Sequence, residues 1–530
     1  MDGTRRMLPQ SILENFPFEL NPTLYLSLSL FIIPILVLKL TRTRRNKLNL
    51  PPSPPGFPFI GNLHQIGTLP HRSLKALSQK YGPLMFLHLG QKPTLVVSSA
   101  HMAREITKSH DVVFSDRPQT TAAKIILYGC KDLGFLPYGE EWRLKRKICV
   151  LELLSPKRVQ FFQFVVREEV ADMISKIREA CADGDNKGSC VNMSDMIVAA
   201  ANNIVCKCLL GQKFQSADGK RSFGDLAAQI SAHTIAFSFG DFFPSLRWMD
   251  AVTGLISRMN ATFREVDAFF DEVIDQHKAA RRNEDEDGKS EKKDFVDILQ
   301  QLQQDGQLDF ELTQFDLKAT IVDLFLGGSD PTATALEWAF AELVKNPRIM
   351  MKAQEEVRRV VGNKPKVEDS DVGQMKYLEC VLKETLRLHP PVPLLIPRAT
   401  RSSVTLGGYH IPAKTSVFVN AWAIQRDPEF WERPEEFAPE RFENDQVDFR
   451  GQDFQFIPFG SGRRGCPGVS FGFASLEYLL ANLLYWFDWK LPETCKSAGD
   501  MDMSEAYGIT CRKKVPICVQ PMLYSIRSKF

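Results

Sequence analysis

The stretch 459–468, Phe-Gly-Ser-Gly-Arg-Arg-Gly-Cys-Pro-Gly, is where this chain concentrates chemistry. Glycines at 460, 462, 465 and 468 surround one cysteine, Cys466, so the backbone can turn tightly and a flat ligand can approach without meeting side chains. Pro467 suits a first helical position, and the apolar run from Val469 reads as a helix. That places the Cys466 sulfur among the orphan N–H donors of a helix N-terminus, where a thiolate is favoured. Arg463 and Arg464 add positive charge that suits both a thiolate and an anionic ligand group. An isolated cysteine is more commonly structural, but the density of glycine and arginine argues against that use. Gly460 to Gly465 also fits G-x-G-x-x-G. A dinucleotide fingerprint needs a strand before it and a helix straight after the third glycine, and here Pro458 precedes and Cys-Pro follows.

Phe459-x-x-Gly462-x-Arg464-x-Cys466-x-Gly468 resembles the haem-binding signature of the cytochrome P450 family. The resemblance implies haem b with the Cys466 thiolate as axial ligand of the iron, and Arg464 on a haem propionate. Three further motifs agree with it. Trp142 and Arg146 lie one helical turn apart; alone, such a basic amphipathic helix is a solvated face, and by resemblance it is the propionate-binding helix. Glu384 and Arg387 stand at i and i+3, and Pro-Glu-Arg441-Phe follows. A surface pair at that spacing is worth little, whereas the resemblance implies a buried ion network of Glu384, Arg387 and Arg441 that fixes the haem-binding loop. Arg398, closing the apolar run 392–398, is expected to reach a propionate as well.

The elements that must position this chemistry are helical. The pattern predicts one long helix over 313–346, with Thr313 as N-cap and Pro347 beyond its end. Its middle, Leu326-Gly-Gly-Ser-Asp-Pro-Thr-Ala-Thr, puts two glycines and a proline where proline alone costs ~3 kcal/mol. A kink for packing is the plain explanation. The resemblance implies instead a local widening where oxygen is received, lined by Gly327 and Gly328, with Asp330 handling protons. The family has threonine after this acid and this chain has Pro331, which offers neither hydroxyl nor N–H. Ser329, Thr332, a water or a substrate hydroxyl are the candidate substitutes, and position 332 points to another face. Hairpins are expected at 84–97 and at 404–420, and 505–510 is expected to bring a loop tip into the pocket.

With 530 residues, 44% hydrophobic and 25% charged, the composition is that of a globular chain, and a formal net charge of +2 makes no case for nucleic acid. Eleven cysteines without regular spacing read as reduced thiols. The uncharged run 24–38 reads as a membrane anchor, and the arginines at 42, 44 and 45 that follow it leave the downstream chain cytosolic. Then 51–58, with five prolines in eight residues, reads as a semi-rigid spacer. The expected organisation is therefore 1–40 anchor, 41–58 basic stop-transfer and proline hinge, and 59–530 one large, mainly α catalytic domain with small β-sheets. An aromatic loop at 237–249 could dip into lipid.

By resemblance, largely to plant microsomal members, the chain is a haem-thiolate monooxygenase or oxidase on the endoplasmic reticulum membrane. Its electrons come from NADPH through a reductase, with cytochrome b5 as a further partner, and its substrate is a lipophilic metabolite such as a terpenoid, alkaloid or phenolic. Pro331 keeps a second reading open, a haem-thiolate isomerase or dehydratase. A haem-binding sensor without turnover ranks last.

Overall fold

A computed structural model describes residues 48–182, 190–213, 223–287, 293–305, 311–444, 447–492 and 497–524, together with 29, 30, 32 and 33. The chain divides into two units, Met1–Leu50 and Pro51–Phe530. In the first, Ser29, Leu30, Ile32 and Ile33 are helical; the rest of the expected anchor and the arginines after it lie outside the described residues. The prolines that open the second unit are laid against it. Pro52 O accepts from Phe86 N at 2.9 Å and Pro54 O from Asn62 Nδ2 at 3.1 Å.

The larger unit is built on the helix Gln314–Lys345. Thr313 caps it as expected, in a capping box with Asp316 that satisfies two orphan N–H groups. Its faces are buried by the helices Met193–Leu210, Lys376–Leu388 and Val469–Trp486. Helix Met193–Leu210 is also, among the described residues, the one long and apolar enough to cross a membrane. Here it is core: Ile197, Ala201, Ile204 and Leu209 are buried, and a Cβ on Gly328 would stand 3.2 Å from a Val205 methyl. Gly328, expected beside Gly327 at the groove, faces Val205 and allows that helix to approach closely. The helix is not interrupted at 327–331; Pro331 sits inside it. The unfavourable proline is tolerated because packing along the whole helix, rather than local propensity, decides its state.

One side of this helical body carries a four-stranded sheet. Leu84–Leu89 pairs antiparallel with Lys92–Val97, as expected for a hairpin turning at Gly90 and Gln91. Strand Ser416–Val419 does not form the second expected hairpin. It joins this sheet, parallel to Lys92–Val97 and antiparallel to Arg398–Ala399, while Val404–Leu406 folds back on Tyr409–Ile411 around Gly407 and Gly408. Burial explains the choice: Val417 and Val419 are buried, and only a sheet with a covered face offers that. Near the C-terminus, Glu505–Tyr507 and Cys511–Lys513 form a hairpin with its tip at 508–510. The charge run from Arg281, expected as a linker, is helical to Asp287 as the end of Leu255–Asp287.

Glu505 ties that last hairpin to helix Pro70–Tyr81, accepting from Arg72 Nε at 2.7 Å and facing His71 Nε2 at 3.1 Å. Burial alone would raise its carboxyl; the hydrogen bonds from His71 and Arg72 outweigh this and hold it down at about 2. A depressed carboxyl pKa adds stability that is present above the unfolded value and lost as pH falls through the folded one. Glu505→Gln is accordingly expected to speed hydrogen exchange in 505–513 at neutral pH, with the difference from the parent shrinking as pH drops from about 4.3 toward 2.

Candidate active site

Cys466 lies on a loop whose shape comes from glycines. Gly460 and Gly462 have φ of 70° and 71°, the left-handed region that only glycine enters freely. A one-turn helix Gly462–Arg464 follows, and Cys466 N donates to Phe459 O at 2.9 Å, closing the loop on itself. The Phe459 ring is held edge-on against Phe449, 5.2 Å away. The main helix begins at Val469 with Gly468 as its N-cap, so Pro467 stands before the helix and not in its first turn. Gly468 N–H bonds the sulfur. Burial pushes the Cys466 thiol up, and the Gly468 N–H and the Arg146 guanidinium pull it down. A bound cation would tip this balance to the thiolate.

Enclosed by enough protein to raise its thiol, Cys466 nonetheless keeps accessible surface, and so does Gly327 in the middle of the long core helix, where a Cβ would meet nothing within 4 Å. Asp323, Gly327, Asp330, Pro331 and Thr334 fall on one stripe of that helix by their spacing of three and four. The helix packs against Val469–Trp486, which starts three residues after Cys466, and Thr332 Oγ1 lies 3.8 Å from where a Gly472 Cβ would stand, which brings the helix alongside the cysteine loop. We take both exposed residues to open onto the space between this helix and the cysteine loop, the cleft. Ile396, 41% exposed, adds an apolar edge, and Leu395 approaches the Gly460 turn.

One wall of the cleft is cationic. Arg398 donates to Ser461 O at 2.6 Å and to Asp111 Oδ1 at 3.1 Å. Arg464 donates to the carbonyls of Ser115, Leu133 and Leu136, and lies 4.4 Å over the Trp142 ring. Trp142 Nε1 also donates to Leu133 O, at 3.1 Å, and Arg146 Nη2 to Gly465 O at 2.7 Å. Arg117, which sequence reasoning passed over, joins them through Gly134, Ile396 and Pro397 carbonyls. Burial, then the neighbouring Arg464 and Arg398 charges, push the Arg117 guanidinium well below its usual value; burial and Arg398 bring Arg464 to about 10. Among the described residues only Arg398 of these three has a carboxylate hydrogen-bonded to it. Buried guanidinium groups crowded together with so little counter-charge fit an anionic ligand edge, and an exposed sulfur beside a glycine turn fits a planar group carrying a metal. The residues present fit haem.

The loop 131–136 supplies three of those carbonyls, from Leu133, Gly134 and Leu136, and two carboxyls fix it. Gly134 N donates to Asp323 Oδ2 at 3.1 Å and Phe135 N to Asp132 Oδ2 at 2.8 Å. Burial raises both, and their mutual repulsion raises Asp132 further; Asp323 reaches about 6. Asp111 performs a similar task for the cysteine loop, accepting from Arg463 N at 2.9 Å. No motif announces Asp323 or Asp111, because their bonds join segments 189 and 352 residues apart in sequence, whereas Asp132 acts within its own turn.

The structure brings Glu384, Arg387 and Arg441 together. Glu384 receives Arg387 Nε at 2.7 Å, Arg387 Nη2 at 2.9 Å, Arg441 Nε at 3.0 Å and Ala438 N at 2.8 Å. Arg387 also donates to Gln425, Pro434 and Glu436 carbonyls, and Gln425 Oε1 takes Ile457 N at 3.0 Å, two residues before Phe459. On the long helix, Asp330 Oδ2 accepts from Thr510 at the tip of the C-terminal hairpin at 2.9 Å. The Ser329 hydroxyl is buried against Phe325 O, and Thr332 Oγ1 turns to Gly472 on the opposite helix, so neither hydroxyl stands where Pro331 lacks one.

The model of the family described as cytochrome P450 matches residues 51–514. Phenylacetaldehyde oxime monooxygenase of Prunus mume is 54% identical over 94% of this chain and 96% of its own length. Cytochrome P450 71A1 of Persea americana is 52% identical over 86% and 90%. Desmethylyatein synthase of Sinopodophyllum hexandrum is 47% identical over 93% and 97%. A zebra fish cytochrome P450 solved with progesterone superimposes with a TM-score of 0.72 at 25% identity, covering 86% of this chain and 99% of that one. With a cysteine loop, a cationic wall and a helix stripe arranged for one planar cofactor, the chain belongs to the cytochrome P450 family, and is a haem monooxygenase supplied with electrons from NADPH by a reductase.

Proposed function

We propose that the chain oxidises a lipophilic plant specialised metabolite at the cleft between Gly327 and Cys466, and the observation that carries this is that pair of open positions inside a packed domain. When bound, haem supplies activation of dioxygen at the expense of NADPH. Cys466 holds it by the sulfur, in a loop fixed by Phe459, Gly462 and Gly468. Arg117, Arg146, Arg398 and Arg464 take its carboxylates, with Trp142 packed beneath Arg464. Glu384, Arg387 and Arg441 keep the loop in place. Asp330 holds and passes protons on the open side, with Gly327 giving access. Leu395 and Ile396 present apolar surface to the substrate, which supports a lipophilic one. The phenylacetaldehyde oxime monooxygenase of Prunus mume makes phenylacetaldehyde oxime the first compound to try.

The domain is proposed to sit on the endoplasmic reticulum membrane, anchored through the segment before residue 41 and facing the cytosol, with cytochrome b5 as a second electron donor. An apolar face supports the membrane contact. Phe59 is 67% exposed, Trp248 59% and Val252 76%, and Gln91 N to Phe242 O at 2.8 Å links the 237–252 segment to the first hairpin. So much exposed aromatic and aliphatic surface in one region marks an interaction site.

The test is incubation of membranes carrying the chain and a plant reductase with this oxime and a lipophilic plant extract, with and without NADPH, read by mass spectrometry. A product dependent on NADPH and heavier by one oxygen, or lighter by two hydrogens, is the expected result. A product of unchanged mass formed without NADPH would favour the isomerase reading that Pro331 keeps alive. A second expectation concerns Pro331 itself. With no hydroxyl at this position, part of the NADPH is expected to end as hydrogen peroxide, and Pro331→Thr is expected to lower the peroxide released per NADPH; an unchanged or higher yield counts against the assignment.

A further inference from the structure

Asp330 is held from outside its own helix. Thr510, 180 residues away in sequence, donates to its Oδ2 at 2.9 Å, and Thr334, one turn after Asp330, donates to Thr510 Oγ1 at 3.0 Å. Thr510 and Thr334 are each 2% exposed, whereas Asp330 is only partly buried. Its second oxygen, Oδ1, has no hydrogen-bond partner among the described residues. The stripe that carries Asp330 also carries the exposed Gly327, and Asp330 keeps part of its own surface accessible while the Thr510 that ties its Oδ2 is buried. The hairpin that delivers Thr510 is itself pinned, by Glu505 on His71 and Arg72 and by Cys511 N on Pro391 O at 2.7 Å.

From this geometry we propose that Thr510 is the positioning residue for proton handling in this enzyme: reaching in from the C-terminal hairpin beside Pro331, it fixes Asp330 with one oxygen tied and the other presented to the cleft. The proposal rests on the assignment of Asp330 above. Thr334 sits behind Thr510 and is buried, so the hydroxyl chain ends inside the protein. It orients and does not conduct. Asp330 gains its proton from water in the cleft and gives it to an oxygen acceptor there, returning to the carboxylate; Thr510 gives up no proton in the cycle.

Burial pushes the Asp330 carboxyl up, and the Thr510 hydrogen bond and the Arg512 charge on the same hairpin pull it down. Arg512 is the charged group that acts on it among the described residues. Removing the Thr510 hydroxyl therefore leaves Asp330 protonated to higher pH.

The experiment compares the full-length, haem-loaded parent with Thr510→Val, Thr510→Ser and Asp330→Asn. Two quantities are read across pH: the absorption spectrum of the resting ferric protein without reductase, and hydrogen peroxide released per NADPH with reductase present. The expected result is a spectral titration whose midpoint moves up in Thr510→Val, returns toward the parent in Thr510→Ser and is absent in Asp330→Asn. A severalfold rise in peroxide yield is expected in Thr510→Val and Asp330→Asn, with recovery in Thr510→Ser. If Asp330→Asn matches the parent in both readouts, the assignment of Asp330 fails and this proposal with it. If Asp330→Asn departs from the parent while Thr510→Val does not, Asp330 stands and the positioning role of Thr510 is overturned. Should Thr510→Val lose haem, Thr510→Ser decides: a midpoint displaced from the parent despite its hydroxyl would overturn the proposal, and parental behaviour on both readouts supports it.

Discussion

Glu384→Ala is expected to cost about 3–5 kcal/mol of stability and to leave most of the chain without haem. Both carboxylate oxygens are fully buried, and together they accept from two guanidinium groups and one backbone N–H. Without them Arg387, which is 0% exposed, keeps its charge in the protein interior with only carbonyls around it. A domain has roughly 5–15 kcal/mol in total, so one such loss takes a large share. The haem effect follows by a traceable route, from Arg387 to the Gln425 carbonyl, from Gln425 Oε1 to Ile457 N, and from Ile457 into the loop that ends at Cys466. Arg441 is 13% exposed at its side chain and can be hydrated when its partner goes. Arg441→Ala should therefore cost clearly less than Arg387→Ala, which should approach Glu384→Ala. Chemical unfolding followed by both far-ultraviolet ellipticity and haem absorbance gives the ranking. A Glu384→Ala protein with the parent's midpoint and haem content would mean that the network is not what fixes the loop.

Motif residues were legible in the sequence because the chemistry constrains type and spacing over short distances. The turn at 459–468 needs glycine where φ is positive, cysteine at the ligand position and a helix start straight after; Glu384 and Arg387 meet simply because they lie one turn apart. The long helix was legible from its cap and its apolar pattern. What was not legible depends on contacts between distant segments. Asp111 supports the cysteine loop from 352 residues away, and Thr510 reaches Asp330 across 180. Arg117 looks in sequence like one more loop cation, and becomes part of the cationic wall only when the segments carrying Gly134 and Ile396 close on it. The two glycines at 327 and 328 look alike, yet one opens to the cleft and the other receives Val205, because adjacent residues on a helix face different sides. The strand Ser416–Val419 chose its sheet for a reason that only the covered face supplies.

Four glycines of the cysteine loop and its helix differ in what they can tolerate, and that difference gives the second large effect. At Gly462 a Cβ would run into the Thr107 carbonyl oxygen and come within 2.9 Å of Asp111 Oδ1, at a φ of +71°. Thr107 lies in the helical turn Glu105–Ser109, so its carbonyl cannot simply swing aside. Gly462→Ala therefore combines a left-handed alanine, ~1–2 kcal/mol, with displacement of the backbone against which Asp111 and Arg398 hold the loop. Gly460 shares the positive φ, but its Cβ would make only ordinary contacts, with Leu395 at 3.7 Å and Gly465 Cα at 3.9 Å, which leaves the conformational cost alone. Gly468 has φ of −93° and would bring a methyl 4.0 Å from the Cys466 sulfur, a fold-neutral change next to the ligand. Gly472, inside the helix with Thr332 Oγ1 at 3.8 Å, is a place where alanine is expected to stabilise by about 1 kcal/mol. Haem bound per chain, measured after purification at equal expression, should fall in the order Gly472→Ala, Gly460→Ala, Gly462→Ala, with the last close to none. The order separates two explanations for a glycine-rich cysteine loop. If flexibility were the reason for the glycines, each substitution would matter to a similar degree, whereas steric need at the backbone of Thr107 singles out Gly462.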